Sequence, residues 1–207
     1  MEAINRWLVE CGLPPTVEEL RQTLNVGSKR TILRYLKWLE DEGDIERWPG
    51  ARGLRLKKNL SVGIETREIP LVGEATAGAL MIAEENHQGS VHLPIQFLAR
   101  KDAKHFLLRV KGDSMNQAIL HDVHIEDGDL VVVEQRANAL PGEVIVALVD
   151  GEATIKRLAK GDGYYMLKPE SSNKSHSPVI LLEDFQVQGV VTRVLKKGAF
   201  LLDENSN

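Results

Sequence analysis

Apolar positions in the first sixty residues recur at helical spacing in three stretches. Ile4, Trp7, Leu8 and Cys11 share one face, and Gly12 is placed to end that helix. After Pro14-Pro15, Thr16 suits an N-cap, Glu18 and Glu19 suit a first turn, and Leu20 and Leu24 supply an inward stripe. Asn25-Val26-Gly27 is a turn. Ser28 then caps a third helix that carries Ile32, Leu36 and Leu39 and breaks at Glu42-Gly43-Asp44. Ile45-Glu46-Arg47-Trp48 alternates as a strand does, Pro49-Gly50-Ala51-Arg52-Gly53 turns, and Leu54-Arg55-Leu56 alternates back. Helix, helix, short turn, helix and hairpin in that order predict a winged helix-turn-helix.

From residue 57 to Pro70 the periodicity is weak and the charge mixed, which reads as a linker. Beyond it the pattern changes to short runs of Val, Ile and Leu: Phe106–Val110, Leu130–Val133, Val144–Val149, Thr154–Leu158, Tyr164–Leu167, Val179–Leu182 and Phe185–Leu195. Turns such as Asp127-Gly128-Asp129, Leu140-Pro141-Gly142 and Gly161-Asp162-Gly163 separate them, so a mostly-β region is expected. The predicted class is α+β. Residues 1–58 form the winged helix domain, 59–70 the linker, and 71–207 the mostly-β domain.

Composition adds constraints. The chain has 207 residues, 43% hydrophobic and 27% charged, which suits packed domains rather than disorder. Its net charge of −4 excludes a uniformly basic nucleic-acid coat, but the charge is unevenly divided. Residues 1–60 hold 11 Lys/Arg against 9 Asp/Glu, net +2, and residues 61–207 hold 15 against 21, net −6. No apolar stretch approaches the roughly 20 residues that span a bilayer, and the N-terminus has neither a basic n-region nor an apolar h-region. Cys11 is the single cysteine. Together these features predict a cytoplasmic protein without a membrane partner.

Two groups of residues suggest chemistry. The outer face of the third helix carries Lys29, Arg30, Thr31 and Arg34, suited to guanine edges and phosphates in a major groove, and Arg52 sits where a wing would touch DNA. A solvated basic face is the plainer alternative. Gly112-Asp113-Ser114-Met115 puts a serine on a glycine-flanked turn, and Lys156 lies on an alternating strand with Thr154 and Leu158. A desolvated lysine can act as the base that a nucleophilic serine needs. Taken alone, a surface serine and a surface lysine are the commoner arrangement.

The order of motifs changes this weighing. Gly-Asp-Ser-Met, Asp-Gly-Asp-Leu, Pro-Gly-Glu-Val and Thr-Ile-Lys-Arg-Leu together resemble the self-cleaving peptidase domain of the LexA repressor family, which phage repressors and UmuD mutagenesis proteins share. Gly12-Leu13-Pro14-Pro15-Thr16-Val17-Glu18-Glu19-Leu20, Leu36-Lys37-Trp38-Leu39 and Gly53-Leu54-Arg55-Leu56 resemble the LexA winged helix. Pro70-Leu71-Val72-Gly73 leading to Ala77-Gly78 resembles the cleavage segment. The resemblance implies a signal-peptidase-like β domain, Ser114 as nucleophile, Lys156 as base, and cleavage between Ala77 and Gly78. It also implies an oxyanion held by the amides of Asp113 and Ser114. It implies a dimeric repressor of operator DNA in the DNA-damage response, with the RecA filament as co-protease, dimerised through the strand Phe185 to Leu195. The alternation of Val187, Gly189 and Val191 with Gln186, Gln188 and Val190 there suits an edge strand. It implies no cofactor and no metal. The alternatives are a phage or mobile-element repressor with the same switch, or a UmuD-like polymerase accessory protein.

This chain departs from the family pattern in three places. Its first helix is shorter than usual. Eleven residues, Asn116 to Glu126, separate Met115 from Asp127, more than is usual; His121, His124 and their carboxylate neighbours match no zinc spacing and read as a polar surface loop. Ser28 and Lys29 open the third helix, but its expected reading face is Arg30, Thr31, Leu33 and Arg34, where familiar members carry acidic and amide side chains.

Overall fold

The computed structural model describes residues 1–11, 13–57, 65–72, 87–149, 152–181 and 185–197. The N-terminal helices are α1 (Glu2–Cys11), α2 (Val17–Thr23) and α3 (Lys29–Asp41), followed by a hairpin of β1 (Ile45–Arg47) and β2 (Leu54–Leu56). At 10, 7 and 13 residues the helices are near or below the roughly 12–15 residues at which an isolated helix becomes even marginally stable. Tertiary burial therefore holds them. Ile4, Leu8, Leu20, Ile32, Leu36, Leu39, Ile45, Leu54 and Leu56 form one apolar cluster drawn from all five elements.

Local chemistry sets the ends. Thr16 Oγ1 accepts the Glu19 amide at 3.2 Å, and Glu19 Oε2 accepts the Thr16 amide at 2.6 Å, a reciprocal capping box. Ser28 Oγ accepts the Arg30 amide at the start of α3. In the wing turn, the Trp48 amide donates to Gly53 O, and a Cβ on Gly53 would lie 2.0 Å from Trp48 O. Only glycine fits there. Arg52 is the correction in this region: its guanidinium donates to both carboxylate oxygens of Glu19, at 2.8 and 2.9 Å, and to Pro14 O at 2.7 Å. These bonds occupy Arg52 in tying the wing to the start of α2, so it is not a free cation at the wing tip.

The second region is built on β3 (Thr66–Val72), β4 (His87–Pro94), β5 (His105–Arg109), β6 (Ile119–Leu120), β7 (Val123–His124), β8 (Leu130–Glu134), β9 (Val144–Val149), β10 (Glu152–Lys160), β11 (Tyr165–Lys168), β12 (Val179–Leu181) and β13 (Gln186–Leu195). Among the described residues one nine-stranded sheet runs in the order β12-β11-β10-β9-β13-β8-β5-β3-β4. It is antiparallel except where Leu71 and Val72 of β3 pair in parallel with Leu107 and Leu108 of β5. The unbroken apolar runs of the sequence have a simple cause, which is that both faces are covered. Val131 and Val133 of β8 enter one core cluster while Leu130 and Val132 enter another, and β9 divides Val144 and Val146 from Ile145 and Ala147 in the same way.

Three expectations are corrected. Thr66–Val72 lies in the sheet, so the linker predicted over 59–70 does not extend past residue 65; Arg67 and Glu68 hid the strand by finding polar partners, Lys101 O and Ser90 Oγ. The segment after Met115 is not a loose polar loop. It makes the hairpin β6–β7, turned by His121 and Asp122 at φ 48° and 63°, with Ala118, Val123 and Ile125 buried. Finally, Phe185 to Leu195, whose alternation suggested an edge strand, contains β13, which pairs with β9 through Gln186–Val190 and with β8 through Val190–Leu195. It is an interior strand.

Where β13 changes partner, its register shifts between Val187 and Gly189, and a Cβ on Gly189 would meet Glu134 O at 2.5 Å and Val133 Cγ1 at 2.6 Å. Gly189→Ala is expected to destabilise the protein by about 1–3 kcal/mol through overpacking. The shift of the urea midpoint measures it; an unchanged midpoint would contradict the close approach.

Candidate functional site

Serine and lysine, 42 residues apart in the chain, meet beside β10. Lys156 Nζ lies 2.9 Å from Ser114 Oγ, 2.8 Å from Thr154 Oγ1 and 3.0 Å from the Ile155 carbonyl oxygen. Lys156 is on β10, paired with Ile145 of β9, so its backbone is fixed by the sheet ladder. Burial pushes its amine below the ordinary lysine range, because the ammonium loses hydration and, among the described residues, no carboxylate replaces it. An amine so placed can keep two protons on Thr154 and the Ile155 carbonyl while its lone pair faces the serine.

Ser114 is held by a turn that begins where β5 ends. The Val110 amide donates to Asp129 O, the Gly128 amide returns to Val110 O, and Asp127 Oδ1 accepts the Gly112 amide at 2.7 Å. Gly112 has φ 75°, a conformation that favours glycine and swings the chain into the turn Asp113–Asn116, closed by the Asn116 amide on Asp113 O. Met115 then inserts into the core cluster that also contains Ile155 and Val72. Within that cluster Met115 directly follows Ser114, and Ile155 directly precedes Lys156, in the chain. Among the described residues the amides of Asp113 and Ser114 donate to no backbone carbonyl; the Asp113 amide bonds its own carboxylate, and the Ser114 amide is the better placed to meet an oxyanion.

A second strap crosses from β10. Arg157 donates to both carboxylate oxygens of Glu170 at 2.7 Å, the Glu170 amide donates to Ser114 O, and the Gln117 amide donates to Glu170 O. The residue after Lys156 is thereby linked to the backbone of Ser114. Asp127, Asp129, Thr154, Arg157 and Glu170 are site-building residues beyond the expected set. The sequence signal for the first two was the Asp-Gly-Asp turn itself, and that for Thr154 was its place on the same strand face as Lys156; the pairing of Arg157 with Glu170 had none, since the two are 13 residues apart in the chain. Ala77 and Gly78 lie outside the described residues.

The second candidate surface is α3. Ile32, Leu36 and Leu39 turn inward, while Arg30, Leu33, Arg34, Lys37 and Trp38 face outward together; Thr31 is half-buried. Ser28 is spent as N-cap. Lys29 Nζ sits 3.1 Å from Glu18, whose carboxyl Arg21 and Lys29 hold down at about 2. The side chains free to enter a groove are thus Arg30, Leu33 and Arg34, flanked by Lys37 and Trp38, and Trp38 was not anticipated.

Comparison with known proteins agrees with this division. A family described as LexA DNA binding domain matches residues 1–53, and one described as Peptidase S24-like matches residues 70–192. The chain is 33% identical over 209 residues to the LexA repressor of Acetivibrio thermocellus, covering 95% of this chain and 94% of that protein. It is 35% identical over 199 residues to that of Syntrophomonas wolfei, covering 95% and 93%, and 37% identical over 186 residues to that of Clostridium perfringens, covering 89% and 87%. Among the described residues no helix is long and apolar enough to cross a membrane.

The turn carrying Ser114 depends on Asp129, which is buried and accepts Lys196 Nζ at 2.7 Å, the Glu126 amide at 2.8 Å and the Lys197 amide at 3.0 Å. Asp129→Ala leaves the two amides unanswered and Lys196 with only Glu126 and His124 O, and is expected to cost about 2–4 kcal/mol, read from chemical denaturation. A loss below about 0.5 kcal/mol would mean that the carboxylate is dispensable to the turn.

Proposed function

Because the chain belongs to the LexA repressor family, DNA-binding transcriptional repressors with a self-cleaving peptidase domain, we propose that Ser114 and Lys156 cut this protein at its own Ala77–Gly78 bond and thereby switch off repression. The observation that carries the assignment is the 2.9 Å approach of a desolvated lysine amine to a serine hydroxyl with no carboxylate to hold the lysine charged. Neutral Lys156 takes the Ser114 proton as Oγ attacks the Ala77 carbonyl carbon. Negative charge gathers on the carbonyl oxygen, toward the Ser114 amide. The tetrahedral intermediate collapses, the Ala77–Gly78 bond breaks, and the Lys156 ammonium returns its proton to the departing Gly78 amine. Water, deprotonated by the same amine, then hydrolyses the Ala77 ester and frees the serine.

Chain geometry supports the choice of bond. Val72 shares a core cluster with Met115 and Ile155, next in sequence to the two reactive residues. The five residues from Val72 to Ala77 can extend over about 17 Å, enough to bring the bond to the serine. The reaction is intramolecular, so a conformational equilibrium of the segment controls it rather than substrate binding. A RecA filament on single-stranded DNA acts by favouring the cleavable arrangement.

On the DNA side, residues 1–58 read the operator through α3 and residues 71–207 join two copies. A homodimer places two reading helices on two half-sites, and cutting between the halves removes the linkage that raises affinity. With Arg30 and Arg34 outward on α3, the half-site contains guanines whose N7 and O6 accept their guanidinium groups, and Leu33 packs against a thymine methyl.

Purified protein held at alkaline pH is expected to yield residues 1–77 and 78–207. The first-order rate should rise with pH, because the neutral amine is the competent form and its fraction grows through its lowered pKa; the rise levels off below the 10.5 of a free lysine. Ser114→Ala and Lys156→Ala should both stay whole. Cleavage of the Ser114→Ala protein at the wild-type rate would remove the nucleophile assignment.

Binding-site selection on random DNA should return half-sites with guanines, and Arg30→Ala or Arg34→Ala should each weaken binding by about 1–3 kcal/mol and relax preference at one position. Recovery of the same site by wild type and both variants would show that these side chains do not read bases.

A further inference from the structure

One apolar side chain of the winged helix region packs outside its own core. Leu13, in the connection between α1 and α2, lies partly buried against the β-region cluster that contains Val72, Met115, Val123 and Ile125, whereas Leu8 before it and Leu20 after it enter the helical cluster. Cys11, two residues earlier, is near enough to β13 to act on Arg193. Burial lowers the pKa of that guanidinium, and Cys11 opposes the fall. On the other side of Leu13 the chain is braced: Pro14 and Pro15 are buried, Arg52 donates to Pro14 O at 2.7 Å, and Thr16 is fixed by its capping box. Leu13 is therefore presented to the β region from a rigid connection that also carries α2.

We propose that Leu13 docks the winged helix on the peptidase domain and so fixes the direction in which α3 is presented to DNA; the proposal rests on the reading of this chain as a dimeric operator-binding repressor. A docked domain either hides its reading helix or aims it. Here Arg30, Leu33, Arg34 and Trp38 all stay exposed, Leu33 at 43% and Trp38 at 58%, so the contact leaves the reading face open and acts on its direction. The tether favours the contact. Only the nine residues Lys57 to Glu65 separate β2 from β3, and a link that short holds two surfaces at roughly millimolar effective concentration. A small apolar contact then suffices to keep them together. In a dimer, two docked winged helices hold their reading helices at one separation and one rotation about the DNA axis. Half-sites that differ in phase by half a helical turn, about 5 bp, present their grooves on opposite faces and cannot both be met.

The test uses uncut full-length protein with the serine–lysine pair untouched. Backbone amide NMR relaxation reads the tumbling of each region separately. In the wild type the amides of α1–α3 and those of the sheet are expected to report one correlation time. In Leu13→Ser the helical amides should report a shorter time than the sheet, with chemical shifts outside the α1–α2 connection unchanged, and Leu13→Met should restore a single value. The second readout is affinity for the half-site returned by selection, used as two copies at the selected spacing or with half a helical turn inserted. Insertion should cost the wild type about tenfold or more and Leu13→Ser less than about threefold, while both bind a lone half-site equally. Two correlation times in the wild type, or a single one in Leu13→Ser, would overturn the docking. Docking by relaxation, with wild type and Leu13→Ser equally affected by the insertion, would overturn its role in aiming α3. A wild type that docks but binds no paired site would overturn the repressor reading and the aiming role with it, while the contact itself stands.

Discussion

The chemistry proposed for this protein depends on the removal of water from one lysine amine. In solvent Lys156 would be an ammonium, with no lone pair to accept a proton from Ser114. Burial without a compensating carboxylate raises the cost of that charge, and the two oxygen acceptors beside Nζ satisfy the amine when it is neutral. Such a site cannot be built locally, because desolvation needs walls. Here they come from the paired strands β9 and β10 and from the turn that carries Ser114. The large β region and its doubly covered strands are the support that this one group requires.

The turn carrying the serine is fixed from three directions. Asp127 and Asp129 anchor it where β5 ends, Glu170 ties it to the strand that carries the lysine, and the loop of Asn173 and His176 grips Asp113. Holding both partners on one framework makes their geometry insensitive to the position of the segment to be cut. That separation suits a switch, in which the reactive pair stays ready while the approach of the bond varies.

The DNA-binding half follows a different economy. Its helices are short, its core is drawn from every element, and Arg52 adds a bidentate strut between wing and α2. With the wing arginine engaged there, the proposed reading of DNA falls to α3. The net charge of +2 over residues 1–60 suits the proposed binding by two copies through base contacts rather than by a broad basic surface.

Much of this was legible in the chain itself. Helical spacing, the capping pattern at Thr16 and the alternating runs after Phe106 located the elements, since periodicity and end chemistry are local properties that tertiary contacts here reinforce. The ordered motifs likewise singled out Ser114 and Lys156. The strand at Thr66–Val72, the hairpin after Met115 and the interior place of β13 were not legible. A charged strand, a tight insertion and an alternating strand take their meaning from which neighbours cover them. The role of Arg52, the Arg157–Glu170 strap and the grip of His176 on Asp113 were hidden for the same reason. Sequence determined which residue types could act and on which kind of element each would sit. Only the packed sheet decided which of them meet, because hydrogen bonding and desolvation act through distances that spacing along a chain does not encode.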